Sequence, residues 1–240
     1  MTDTELKSHP ATFTPAIADM ITLLINHENR PGPVLDPFAG IGTIHTLGRR
    51  DTISVELEHE WAIQAHRTRL EHDTLAAYEA NSLDIYDMIS VRHQPAGIVT
   101  SPAYGNRMAD QYDGRDGSTR ATYATSLGRA CSAGSGAALQ WGPDYRGFHT
   151  RHIEAWRHLL PDNGWLILNM KDHPRDGTIQ RVCRWWIQTT LDYGFDLARA
   201  EAITTPGMRF GAQGDIDIDH EMLYLFVVDP DYDTSQRRLF

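Results

Sequence analysis

Lysine is almost missing from this chain: Lys7 and Lys171 are the only two among 22 basic residues, and the other 20 are arginine. Bases of both kinds are outnumbered by 32 acids, and the net charge of -10 excludes a protein that coats nucleic acid through a uniformly basic surface. A local basic cleft stays open. Cysteine is as scarce, with Cys131 and Cys183 alone and without metal spacing, which excludes a disulfide framework and fits two ordinary thiols in a reducing cytoplasm. No apolar run approaches the roughly 20 residues that span a bilayer. Met1 to His9 carries Asp3 and Glu5 and no apolar signal core, so a cytoplasmic location without a membrane partner is expected. What remains is 240 residues, 41% of them hydrophobic, enough for one sizeable α/β domain over 1–240.

The chain is organised around Val34-Leu35-Asp36-Pro37-Phe38-Ala39-Gly40-Ile41-Gly42-Thr43. Val34 and Leu35 suit a buried parallel strand, Pro37 cannot continue a central ladder, and Gly40 and Gly42 let the backbone pass close beneath a ligand. The amides of Ile41 to Ile44 are expected to open a helix running to Arg49, where unpaired donors favour an anionic group. The dinucleotide pattern G-x-G-x-x-G is not met, because His45 stands at its third glycine, and the phosphate loop G-x-x-x-x-G-K-[ST] is absent.

The run D-P-F-A-G-I-G-T resembles the first cofactor motif of the class I S-adenosylmethionine-dependent methyltransferases. In that family the turn holds the methionine end of the cofactor, and an acid closing the next strand grips the ribose hydroxyls. Thr52 to Glu56 supplies such a strand, with Glu56 16 residues after Gly40. The resemblance implies cofactor contacts from Asp36, Phe38, Gly40, Gly42, Thr43 and Glu56. A third strand, Ala76 to Ala80, leads to Asn81 and Asp84, which the family places beside the adenine, although Asn-Ser is also a good turn former. Upstream, His9-Pro10-Ala11-Thr12-Phe13-Thr14-Pro15 is similar to a segment that amino-methylating DNA methyltransferases close over the cofactor, which implies contacts from Thr12 and Phe13. From Thr14 on, the same residues open an amphipathic helix to about His27, with Ile17, Met20, Ile21, Leu24 and Ile25 on one side.

The fourth strand, Gly97 to Thr100, runs into Ser101-Pro102-Ala103-Tyr104-Gly105-Asn106-Arg107. Ligands of open parallel sheets bind at the carboxyl ends of the strands, so this turn and the first one should share a cleft. It resembles the [DNS]-P-P-[YFW] motif of enzymes that methylate exocyclic amino groups, above all the S-P-P-Y form of cytosine N4 methyltransferases, and lies 61 residues after Gly40. An exocyclic amine is a poor nucleophile because its lone pair is delocalised into the ring. Acceptors must draw it out, and Ser101 Oγ and the Pro102 carbonyl are placed to do so while Tyr104 stacks on an extruded base. No separate strong base is required. Asn106 and Arg107 are expected to touch the substrate. Ala103 replaces the second proline, which removes one fixed φ from the turn.

Residues 105–149 read as a long loop, a lid or recognition segment. Between Asn106 and Arg157 seven arginines face five acids, with Tyr112, Tyr123, Trp141 and Tyr145 interleaved, a mix that suits phosphates and bases. Thr150 to Leu160 reads as a helix, Trp165 to Met170 as a fifth strand, Ile179 to Tyr193 as a helix, and Leu197 to Thr204 and Met222 to Val228 as a closing hairpin. The expected fold is a Rossmann-like class I methyltransferase with a mostly parallel seven-stranded sheet. The expected partners are S-adenosylmethionine and DNA, as a duplex with a flipped base, with no metal, in a monomer or homodimer. Adenine N6 in DNA, guanine N2 in RNA, and an inactive nucleic-acid binder are the alternatives.

Overall fold

A computed structural model of the chain describes residues 8–106, 122–175, 177–205 and 218–232. Its short apolar runs form strands β1 (Val34–Asp36), β2 (Thr52–Glu56), β3 (Ala76–Glu79), β4 (Gly97–Thr100), β5 (Trp165–Met170), β8 (Phe195–Thr204) and β9 (His220–Val228), and a separate hairpin pairs β6 (His173–Arg175) with β7 (Thr178–Gln180). The helices are α1 (Pro15–His27), α2 (His59–Glu71), α3 (Ser82–His93), α4 (Tyr123–Leu127), α5 (Pro143–Leu159) and α6 (Val182–Asp192). The sheet has seven strands in the order β3-β2-β1-β4-β5-β9-β8. Its first five strands run parallel, and β9 lies antiparallel between β5 and β8. This is the expected Rossmann-like architecture with its closing hairpin.

The buried strands alternate their side chains between two cores, as the period of a strand requires. Val99, Trp165, Ile167, Leu223 and Leu225 meet Ile17, Ile21, Leu24 and Ile25 of α1 on one face. Ile98, Leu166, Leu168 and Phe226 meet Tyr145, Ile153, Trp156 and Trp186 of α5 and α6 on the other. Thr14 caps α1 by accepting the Ile17 N–H at 3.4 Å, and Pro15 occupies its first turn. No described helix is long and apolar enough to cross a membrane.

Three expectations are corrected. The stretch Thr43 to Arg49 is not a crossover α-helix: only a 3-10 turn forms, Thr43–Thr46, between Gly42 and Gly48, both at positive φ. The reason is His45, buried and drawn toward β2 by Thr52 Oγ1 at 2.7 Å and Ser54 Oγ at 2.9 Å. With α1 already covering that face, a second helix there has nothing to bury. Over the described part of the loop expected at 105–149, the chain carries α4, a 3-10 turn at Gly136–Ala138 and the start of α5, seven residues earlier than read. Pro143 opens that helix, and its buried side includes Tyr145, His149 and His152. Polar atoms on these residues masked an otherwise regular helical period. The second helix of the C-terminal half likewise begins at Val182, because residues 173–175 and 178–180 pair as β6 and β7.

Candidate active site

At the end of β1 the Asp36 carboxylate turns back and accepts the Phe38 N–H at 3.0 Å, which ends the ladder where Pro37 had to end it. The chain then passes through Gly40 and Gly42 at φ of 54° and 80°, the left-handed region that favours glycine. Space forbids a side chain at Gly42, whose Cβ would stand 2.7 Å from Ala65 Cα of α2. Glu56 closes β2 and joins the two turns: Oε2 accepts the Gly40 N–H and Oε1 the Glu58 N–H, both at 2.8 Å. Burial pushes Glu56 up to about 7 against the pull of these two donors, and burial likewise pushes Asp36 up to about 7. The Gly40 amide is therefore committed to Glu56, and no α-helix N-terminus follows it, so the anion-binding helix end expected here does not form.

Three aromatic rings gather over this turn. His9 lies against Gly40, where an added Cβ would come 2.9 Å from its Nε2, and its ring packs 4.4 Å from Trp61 and 5.2 Å from Tyr123. Burial pushes His9 down to about 4, so it is neutral at physiological pH. The segment that brings Tyr123 is latched to α2: Ser132 donates both its N–H and its hydroxyl to Glu58 at 2.8 Å, and Arg129 bridges Glu58 and Glu60. His9 and Glu58 were not picked out from the sequence, although His9 belongs to the same H-P-A-x-F-x-P stretch that pointed to its neighbours, and Tyr123 was expected only as one of the aromatics for nucleic acid. Thr12 is exposed, and Phe13 is half-buried against the α1 core. Asn81 caps α3, accepting the Leu83 N–H at 3.1 Å, and Asp84 is exposed in the first turn of that helix. Thr43 is half-buried at the start of the 3-10 turn, and Phe38 leans toward α5, its ring 4.8 Å from that of His152.

β4 lies beside β1 in parallel register, Leu35 opposite Ile98, so the turn after β4 emerges one strand spacing, about 4.8 Å, from the glycine turn. Pro102 is buried. Tyr145 of α5 donates its hydroxyl to the Ala103 carbonyl at 2.7 Å and accepts from Trp186 Nε1 at 3.1 Å. Gly105, at a φ of 71°, accepts the Trp141 N–H at 2.9 Å, and Asn106 pairs with Gln140 in an isolated antiparallel bridge. The turn that lost a proline is thus fixed by tertiary bonds. Arg107 lies outside the described residues.

Strand alternation places Ser101, Asn169 and Glu221 on one side, continuing the Val99, Ile167 and Leu223 rows of the α1 face. They meet there with Tyr104. Ser101 Oγ is 3.1 Å from the Tyr104 hydroxyl, which donates to Glu221 Oε2 at 3.2 Å. Asn169 Nδ2 lies 3.1 Å from the Tyr104 hydroxyl and 2.9 Å from Glu221 Oε2. Burial, and after it the charge of Glu221, raises the Tyr104 phenol well above its ordinary value, so it stays a donor. Asn169 and Glu221 were missed because each sits far along the chain from the motif and only pairing of β4, β5 and β9 brings them to it.

No protein-family model matches the chain, and no curated protein matches it. Solved structures do resemble it in fold. TrmN from Thermus thermophilus superposes with a TM-score of 0.52 at 16% identity, over 91% of this chain and 50% of that one. The Methanococcus jannaschii fibrillarin pre-rRNA processing protein gives 0.51 at 10% identity, over 90% and 76%. Precorrin-6y C5,15-methyltransferase from Geobacter metallireducens gives 0.50 at 11%, over 90% and 93%. The chain thus spans about half the length of TrmN. At these identities the shared property is the fold, that of the class I methyltransferases.

Proposed function

We propose that the chain is an S-adenosylmethionine-dependent methyltransferase acting on an exocyclic amino group of a nucleobase in DNA, cytosine N4 foremost. The observation that carries this reading is the juxtaposition of two turns on one carboxyl edge of the sheet, the Glu56-bound glycine turn after β1 and the S-P-A-Y-G turn after β4. The residues present fit the cofactor. Both Glu56 oxygens hold backbone N–H groups, and the carboxylate keeps acceptor capacity for a ribose hydroxyl. Asn81 and the latched segment of Tyr123 and Ser132 border the same end of the cleft, while Asp36 and the His9 ring border the glycine turn. When bound, the cofactor supplies an electrophilic methyl group on a sulfonium.

The chain's own residues do the rest. Ser101 Oγ accepts a hydrogen from the target amine and holds the nitrogen in line with the methyl group. The bond from Tyr145 to the Ala103 carbonyl supports an active enzyme over an inactive binder, since it restores rigidity that the missing proline took away. Within the same reading, adenine N6 is the alternative base, and Ser101 in the position of Asp or Asn favours cytosine. A second reading, an RNA amino-methyltransferase with guanine N2 as its target, is favoured by the likeness to the pre-rRNA processing protein.

The experiment is direct. The protein is incubated with labelled S-adenosylmethionine and either duplex DNA or RNA, and the product is digested to nucleosides for mass spectrometry. N4-methylcytosine from DNA is the expected product; label only in RNA selects the second reading, and cofactor binding without transfer to either polymer refutes both.

A further inference from the structure

Methylating an amine leaves a proton to be removed, and the turn after β4 offers no carboxylate of its own for it. From the chain Ser101 Oγ to Tyr104 hydroxyl at 3.1 Å, and Tyr104 hydroxyl to Glu221 Oε2 at 3.2 Å, we infer that Glu221 on β9 is the terminal proton acceptor of the transfer reaction, reached through Ser101 and Tyr104. The inference rests on the methyltransferase reading above and adds to it a residue that the motif does not contain.

The step balances. The amine nitrogen attacks the methyl carbon as the carbon–sulfur bond breaks, its electron pair passing to sulfur and leaving a neutral thioether. The N–H proton passes to Ser101 Oγ while the Ser101 hydrogen moves to Tyr104 and the Tyr104 hydrogen to Glu221, which ends as a neutral carboxylic acid. Hydroxyl groups relay because each can accept and donate at once. Asn169 fixes the chain by donating from Nδ2 toward the Tyr104 hydroxyl and Glu221 Oε2, so the two acceptors keep their spacing. A strong base is not needed, because the proton becomes acidic as the new bond forms, but a nearby carboxylate spares the site from admitting water to take it.

Charged and titratable groups on the elements near Glu221, among the described residues, are the following. Tyr104 follows β4 and is itself acted on by Tyr123 of α4, and Lys171, which donates to Thr205 Oγ1 at 3.1 Å, follows β5. β8 places Glu201, paired with Arg199, two residues from the Ile203 that faces Glu221, and Asp219 and His220 immediately precede Glu221 in the chain. The ionisable residues of α1, Asp19 and His27, are exposed.

The test is single-turnover methyl transfer by the full chain from S-adenosylmethionine to a pool of unmodified genomic DNA and transcribed RNA, followed from about pH 5 to 9, with cofactor affinity measured in parallel. Glu221→Gln is expected to slow transfer at least about tenfold and to flatten the acid limb of the profile, with cofactor affinity within about twofold. Tyr104→Phe, which removes the middle hydroxyl, should lose the same limb, and Glu221→Asp should recover part of the rate with the limb restored. A Glu221→Gln protein with the wild-type rate and profile overturns the relay and leaves the methyltransferase reading standing. Wild-type protein that transfers to nothing in the pool overturns that reading and the relay with it.

Discussion

Single residues decide whether the two turns hold their shape. Gly42 combines a left-handed φ of 80° with close packing on α2, where a Cβ added to it would come within 2.7 Å of the Ala65 backbone, which cannot swing aside. Gly42→Ala is therefore expected to cost roughly 3 kcal/mol, from left-handed strain and overpacking together, read as a lower urea midpoint. Tyr145 is the other such residue. Its hydroxyl holds the Ala103 carbonyl at 2.7 Å, so Tyr145→Phe should lower methyl transfer by about tenfold while cofactor affinity stays within about twofold. Single-turnover rates beside equilibrium binding check this; a proportionate loss of both would mean that the hydroxyl supports the whole fold and not the turn. Ser101, Tyr104, Gly40 and Glu56 were all legible as residues, because each belongs to a short run with a chemical reason for its order. His9 and Glu58 were not, since a lone histidine or glutamate carries no local pattern until α2 and the segment beyond residue 121 close around it.

Elements follow a similar division. The strands of the seven-stranded sheet were read to within two residues, because β1, β4 and β5 are mostly apolar and buried throughout, whereas β6 and β7 were missed. The crossover after β1 was misread for a tertiary reason: α1 already buries the face that such a helix would cover, and His45 finds its partners on β2. The latch between α2 and the 122–138 segment is another property no single element holds. Glu58 is 2% exposed and accepts two bonds from Ser132 as well as the Arg129 guanidinium. Glu58→Gln replaces one acceptor with a donor facing donors, and the expected loss is about 2 kcal/mol, with amide hydrogen exchange across 122–138 accelerating more than exchange in β5. Uniform acceleration would show that the bonds stabilise the whole sheet and do not act as a local latch.

On the scale of the molecule, burial of ionisable groups sets how stability varies with pH. Asp36 and Glu56 are pushed up to about 7, so their contribution favours the fold in acid and fades as pH rises from the ordinary carboxylate range through about 7. His9, His45 and His152 are pushed down to about 4, mainly by burial, and His149 and His173 are lowered too. Their contribution has the opposite sign, present above the ordinary histidine value and lost as pH falls from there toward 4, because the unfolded chain takes up the protons first. Five histidines outweigh two carboxylates over that window, so Tm without cofactor is expected to fall by about 5 °C or more between pH 7 and pH 5. Scanning calorimetry at the two values checks it, and an unchanged or higher Tm at pH 5 would mean that the carboxylates dominate.

The sequence by itself determined the strands of the main sheet, most of the helices between them, and the two turns at its carboxyl edge, because these depend on side-chain period and on proline and glycine at fixed places. Only the tertiary structure decided what surrounds those turns. Asn169 and Glu221 reach Ser101 and Tyr104 across three strands, Tyr145 restrains Ala103 from a helix 42 residues away, and His9 settles on Gly40 from before the first helix. Contacts of that kind depend on strand order and on burial, and neither is written in any local stretch of chain.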